Sequence, residues 1–206
     1  MTTPPLRLFF ALPCPPEQAQ AMVDWRDSLS THSRPVTANN LHLTLIFLGA
    51  QPRGRLPELK ALAASIDGHS FRLQLDRLER WNNGLLHLAL SQPPEALLQL
   101  VHELRERLQL VGFNLESRAF HPHLTLARHC SRLPAGPAPA FAWQVEHFAL
   151  FVSESNAKGT RYRVLSQWPL LPPSRNNDAA VGHKPGGNTA RDSQGDGESN
   201  SQRMTD

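Results

Sequence analysis

The sequence predicts an α+β fold with two related lobes, and three observations carry that prediction. Strand-like runs follow one another with only occasional helical segments, which favours α+β over a doubly wound parallel sheet. The order strand, helix, motif strand, helix in the first half is loosely echoed by strand, helix, motif strand in the second. One tetrapeptide, His-Leu-Thr-Leu, occurs at His42–Leu45 and again at His123–Leu126, each time inside an apolar run.

Taken in order, Arg7–Leu12 reads as a first strand and Glu17–Leu29 as a first helix, with Pro15 and Pro16 before or at its first turn, where a missing N–H does no harm. The first motif strand is Leu41–Gly49. Pro57–Ile66 follows as a helix ended by Asp67-Gly68, and Phe71–Leu78 alternates apolar with polar residues as a half-buried strand. Asn83-Gly84 is a hairpin-type turn signal leading into the strand Leu85–Leu90. Pro94–Val111 is the clearest helix, because Leu97, Val101, Leu104, Leu108 and Val111 fall on one stripe and Gly112 follows as a cap. Next come the second motif strand, a Pro-rich loop over Leu133–Pro139, and strands at Val145–Val152 and Thr160–Gln167. After Pro173 large apolar residues nearly vanish, so 1–172 is expected to form the folded domain and 173–206 a disordered tail.

The chain of 206 residues is 40% apolar, enough for one substantial domain or two small lobes. No stretch approaches the ~20 apolar residues of a membrane span, and the short run Leu6–Leu12 contains Arg7, so neither anchor nor signal peptide is expected. Cys14 and Cys130 are too few for a disulfide framework and lack metal-site spacing, which makes a reducing cytoplasm the expected setting. Of the 21 basic residues 18 are Arg, whose planar fork matches phosphate oxygens, so composition leans weakly towards polyanions.

In an extended strand alternate side chains share a face, so His42 sides with Thr44 and His123 with Thr125, while the leucines point the other way. Two such strands side by side would gather two imidazoles and two hydroxyls. At neutral pH one imidazole accepts a proton while the other donates one, and the hydroxyls hold an anion, a set suited to phosphate esters. On a 2′,3′-cyclic phosphate, the neutral imidazole would take a proton from water and the charged one would protonate the departing ribose oxygen. Arg128 would add a cationic contact. A metal site using His121 and His123 with His42 or His129 is the rival reading, but it leaves the paired threonines unexplained. His121 is read as a neighbour of the site, and His32, His69, His87, His102, His147 and His183 as surface or core residues.

Three segments, Arg7-Leu-Phe-Phe-Ala, Asn40-Leu-His-Leu-Thr-Leu-Ile-Phe-Leu-Gly49 and Phe120-His-Pro-His-Leu-Thr-Leu-Ala-Arg128, resemble the bacterial RNA 2′,3′-cyclic phosphodiesterases of the 2H phosphoesterase superfamily, long called 2′-5′ RNA ligases. The similarity runs over roughly residues 6–170, taking in the Trp81 region and Gly159-Thr-Arg-Tyr-Arg. The resemblance implies two antiparallel sheets with outer helices, related by a pseudo-two-fold, with an active-site cleft between the lobes. It implies hydrolysis of an RNA 2′,3′-cyclic phosphate end to a 2′-phosphate, with 2′-5′ ligation as a side reaction and no cofactor. It also implies His42 as proton donor, His123 as proton acceptor, and Thr44, Thr125, Arg128 and Phe9 as substrate contacts. RNA is then the partner, and a monomer with no obligate protein partner and no membrane contact is expected. The alternatives are a related enzyme acting on small cyclic nucleotides and a non-catalytic module that binds RNA ends.

Overall fold

The computed structural model describes residues 4–156 and 159–173. Among the described residues the elements run β1 (Leu6–Pro13), α1 (Pro16–Asp27), β2 (Arg34–Pro35), β3 (His42–Gln51), α2 (Leu56–Ala64), β4 (Phe71–Leu75), β5 (Arg77–Arg80), β6 (Leu86–Ala89), α3 (Glu95–Leu110), β7 (His123–Arg128), β8 (Phe141–Val145), β9 (His147–Asn156) and β10 (Gly159–Pro169). The tail after Pro173, with His183, lies outside the described residues.

The paired strands form an eight-stranded antiparallel sheet in the order β10-β9-β1-β3-β7-β6-β5, with β2 on β7, and a separate pair β4-β8. The α+β, bilobal expectation holds in a particular form. One half-sheet is β10-β9-β1-β3 and the other is β7-β6-β5 with β2, and they meet through the single register pair Leu43↔Leu124. One face of the sheet is sealed: Leu8, Phe10, Leu12, Leu43, Leu45, Leu124, Leu126, Phe148 and Leu150 join buried residues of all three helices and of β4 and β8 in the main core. The opposite face carries Phe9, Ala11, Ala149 and Phe151 as a small cluster, and beside it the motif histidines and threonines. Period-2 alternation therefore sorts each motif strand into a leucine side that stabilises the fold and a polar side left free for chemistry.

Several elements differ from the predicted ones. Phe71–Leu78 is two strands, because the Asp76 carboxylate accepts from Ser91 N and Ser91 Oγ and turns the chain. β4 then pairs with β8, and β5 with β6. The segment predicted as one strand from Val145 is also divided, at Glu146, into the end of β8 and the start of β9, and β8 begins at Phe141, between the predicted loop and the predicted strand. Val111 leaves the stripe of α3 for an exposed position at the cap, and Leu100 takes its place in the core. Gly112, at φ 80°, closes this helix as expected. In β3, strict alternation breaks where register shifts against β1 leave Leu45 and Ile46 both buried.

A buried Arg26 on α1 donates to the carbonyls of Val36 at 2.5 Å and Leu126 at 3.3 Å, tying the helix to the second half-sheet. The two cysteines are quiet: burial pushes the Cys14 thiol up to about 12, and Cys130 is buried with its Sγ donating to the Arg132 carbonyl.

Candidate active site

An antiparallel register through Leu43↔Leu124 sets His42 opposite Thr125 and Thr44 opposite His123, so each half-sheet delivers one imidazole and one hydroxyl to the seam. All four side chains, with Arg128, line one cavity of about 570 Å³. Phe9, Asn40 and Tyr162 form its wall on one side and Arg7 and Arg34 its rim.

Both imidazoles are oriented by the same local device. His42 Nδ1 lies 2.8 Å from the Asn40 carbonyl and His123 Nδ1 lies 2.7 Å from the His121 carbonyl, in each case the residue two positions earlier. A carbonyl only accepts, so each Nδ1 carries the proton and Nε2 is the nitrogen left for the cleft. The Asn40 side chain fixes its end of this arrangement: Nδ2 donates to Thr160 O at 2.8 Å and Oδ1 accepts from Tyr162 N at 3.0 Å, stitching the turn before β3 to β10.

Each histidine also leans on aromatic rings of its own half-sheet. Phe9, Tyr162 and Phe151 stand 4.9, 4.8 and 5.7 Å from the His42 ring, centroid to centroid. Trp81 and His87 stand 4.5 and 5.4 Å from His123. Trp81 is held there by a turn whose Gly84, at φ 81°, accepts from Cys130 N through its carbonyl. A Cβ at Gly84 would come within 3.2 Å of the Cys130 carbonyl oxygen.

Burial among these rings lowers the His42 pKa to about 4, with the charges of His123 and Arg128 adding to the effect and the Asn40 carbonyl opposing it. His123 is lowered too, chiefly by burial and then by His121 and Arg128, against the favourable bond to the His121 carbonyl. The free cleft thus favours neutral imidazoles beside a cationic rim suited to an anion.

The structure brings His42, His123, Thr44, Thr125, Arg128 and Phe9 to this one cavity. Phe9 is only 3% exposed, its ring being packed against His42 and Phe151. Asn40 has a role that the sequence does not show, and His87 takes the core place open to it but beside His123. Asn40 belongs to the motif segment but its role depends on β10, which is remote in sequence. His87, counted among surface or core residues, is 1% exposed, pairs in register with Thr125, and lies 3.6 Å from a Glu79 carboxylate oxygen. His121 is exposed and serves the site through its carbonyl. Among the described residues no three His, Cys, Asp or Glu side chains gather as a metal ion would require.

The sequence pattern of the 2′-5′ RNA ligase superfamily matches residues 14–157, a span that includes both motifs. The chain belongs to the 2′-5′ RNA ligase superfamily. Within it, the chain is 38% identical over 174 residues to an RNA 2′,3′-cyclic phosphodiesterase of Escherichia coli, covering 81% of this chain and 97% of that protein. An RNA 2′,3′-cyclic phosphodiesterase of Thermus thermophilus is 33% identical over 183 residues, covering 80% and 90%. The fold agrees with the crystal structure of E. coli LigT complexed with 3′-AMP, at a TM-score of 0.75 and 37% identity over 81% of this chain and 98% of that one. The superfamily match spans both motif strands and the seam between them, while β1 and β10, which bring Phe9 and Tyr162 to the cavity, lie outside it.

Proposed function

We propose that the protein hydrolyses RNA 2′,3′-cyclic phosphate ends to 2′-phosphates by acid–base catalysis from two histidines. The observation that carries this reading is the pair of carbonyl-anchored imidazoles, each presenting Nε2 to a cavity that also holds two threonine hydroxyls and an arginine. Relatives named as RNA 2′,3′-cyclic phosphodiesterases support the substrate class.

In this mechanism His123 Nε2 takes a proton from water as the water oxygen attacks phosphorus. The P–O3′ bond breaks in line, and His42 gives its proton to the departing ribose O3′. Thr44 and Thr125 donate to the non-bridging oxygens, and Arg128 balances the charge that develops on them. Phe9 lines the pocket beside His42 and fixes the angle of that ring. With a free pKa of about 4, His42 is almost wholly neutral near pH 7. Its proton must therefore arrive with the substrate, whose phosphate brings a negative charge to within contact range and raises the imidazole pKa. Binding and proton uptake are coupled in this scheme.

The same two nitrogens would activate a ribose hydroxyl in place of water, giving 2′-5′ ligation as a minor reaction. The catalytic unit is residues 1–172, with 173–206 dispensable for turnover. A cytoplasmic monomer is the setting that fits two unpaired thiols; no helix among the described residues is long and apolar enough to cross a membrane. The test is turnover of an oligonucleotide ending in a 2′,3′-cyclic phosphate by wild type, His42→Ala and His123→Ala. Wild type should yield a 2′-phosphate and each variant should lose at least about 10²-fold in rate while remaining folded. Wild-type rates in both variants would refute the mechanism.

A further inference from the structure

A second groove, of about 340 Å³, opens on the other side of His123. It shares Thr44, Phe47 and His123 with the first cavity but reaches neither His42 nor Thr125. We propose that it is the acceptor site for a second RNA strand, holding the nucleoside whose 5′-hydroxyl replaces water. This inference rests on the proposed hydrolytic mechanism.

The argument begins with position. In-line attack puts nucleophile and leaving oxygen on opposite sides of phosphorus, with His42 on the leaving side and His123 on the attacking side. A groove walled by His123 and not by His42 is open to the nucleophile alone. Its chemistry suits a nucleoside carrying a phosphate. Trp81, 37% exposed, and the part-buried Phe120 offer aromatic surface on which a base of any identity stacks. Arg105 and Arg118 supply cations for the following phosphate. Arg105 is steadied by one donor to the Glu116 carbonyl at 2.8 Å, which leaves its other N–H groups for a ligand. Arg118 pairs with the Glu116 carboxylate, but its side chain is 83% exposed, and an exposed pair of this kind yields readily to a phosphate.

The step balances without water. The 5′-hydroxyl oxygen bonds to phosphorus and its proton passes to His123 Nε2. The P–O3′ bond breaks, its electron pair stays on O3′, and that oxygen receives the His42 proton. The product is a 2′-5′ phosphodiester with a free 3′-hydroxyl.

The test compares wild type with Arg118→Glu and with Ala119→Trp, the first reversing a charge and the second filling the groove from an exposed position. Three reactions are followed: hydrolysis of adenosine 2′,3′-cyclic phosphate, hydrolysis of a cyclic-phosphate oligonucleotide, and ligation of that oligonucleotide to one bearing a 5′-hydroxyl. Ligation should fall at least about tenfold in both variants, the loss of one charge-assisted contact, while both hydrolyses stay within about twofold. A fall in oligonucleotide hydrolysis with the mononucleotide unaffected would place the donor strand in the groove and overturn the proposal. Equal losses in all three reactions, no loss in any, or a wild type that hydrolyses but never ligates would overturn it as well. A wild type that hydrolyses neither substrate would instead remove the underlying mechanism, and the acceptor site with it.

Discussion

Replacing His42 by asparagine should remove a defined part of the protein's acid sensitivity. The asparagine amide reaches the Asn40 carbonyl from the position of Nδ1, so the anchoring bond of 2.8 Å survives while the titrating group disappears. In the folded chain the imidazole titrates at about 4, against an ordinary value of 6.5 when unfolded. The folded pKa is the lower one, so the contribution is fully present above 6.5 and is lost as pH falls towards 4. Near pH 4.5 the unfolded imidazole binds a proton almost completely and the folded one only in part, which lowers wild-type stability by about 2 kcal/mol relative to pH 7. Urea denaturation of both proteins at the two pH values measures this as a difference of differences, in which the carboxylates common to both cancel. The wild type should lose about 2 kcal/mol more than His42→Asn on acidification. Sulfate, which does not titrate in this range, should restore more stability to the wild type than to the variant, because an anion in the cleft favours the charged ring. Equal acid losses in the two proteins would refute the claim that His42 is neutral in the free protein.

Three further outcomes are expected. Both imidazoles are lowered in the free protein, so the pH profile of kcat/KM should have its maximum on the acid side of 6.5 and fall as pH rises through that value, as the one proton the pair needs is lost; a profile rising there would count against the pairing. Asn40→Ala removes two hydrogen bonds to β10 and should cost about 2 kcal/mol in urea, with a fall in kcat larger than any rise in KM; an unchanged kcat would show that the clamp does not position His42. Arg26→Met orphans the Val36 carbonyl while Leu126 O keeps its bond from Val36 N, so a destabilisation of about 1–3 kcal/mol is expected in urea, with kcat per folded molecule retained.

What was legible in the sequence follows from range. The two motif strands and their faces could be read because alternation is a local property, and it places His42 and Thr44, or His123 and Thr125, together whatever the partner strand. The C-cap at Gly112 and the turn at Gly84 were legible because both need a positive φ. By contrast, the break at Asp76 depends on Ser91, the partnership of β4 with β8 on a strand far along the chain, and the position of His87 on its register with Thr125. His87 lies between Leu86 and Leu88 in a strand buried on both faces, and no local pattern separates an imidazole beside His123 from an imidazole in the core.

The composition of the two half-sheets sets an order of assembly. The strands around His123, β5, β6 and β7, come from one continuous stretch, 77–128, and their pairings are complete once that stretch exists. The half-sheet around His42 takes β1 and β3 from the start of the chain and β9 and β10 from residues 147–169. During synthesis the Phe9 and His42 rings must wait for Phe151 and Tyr162, and Asn40 for the backbone of β10. A nascent chain stalled before residue 147 holds the surroundings of His123 but not those of His42, so the cavity is completed in one late step, when the last two strands close over the first.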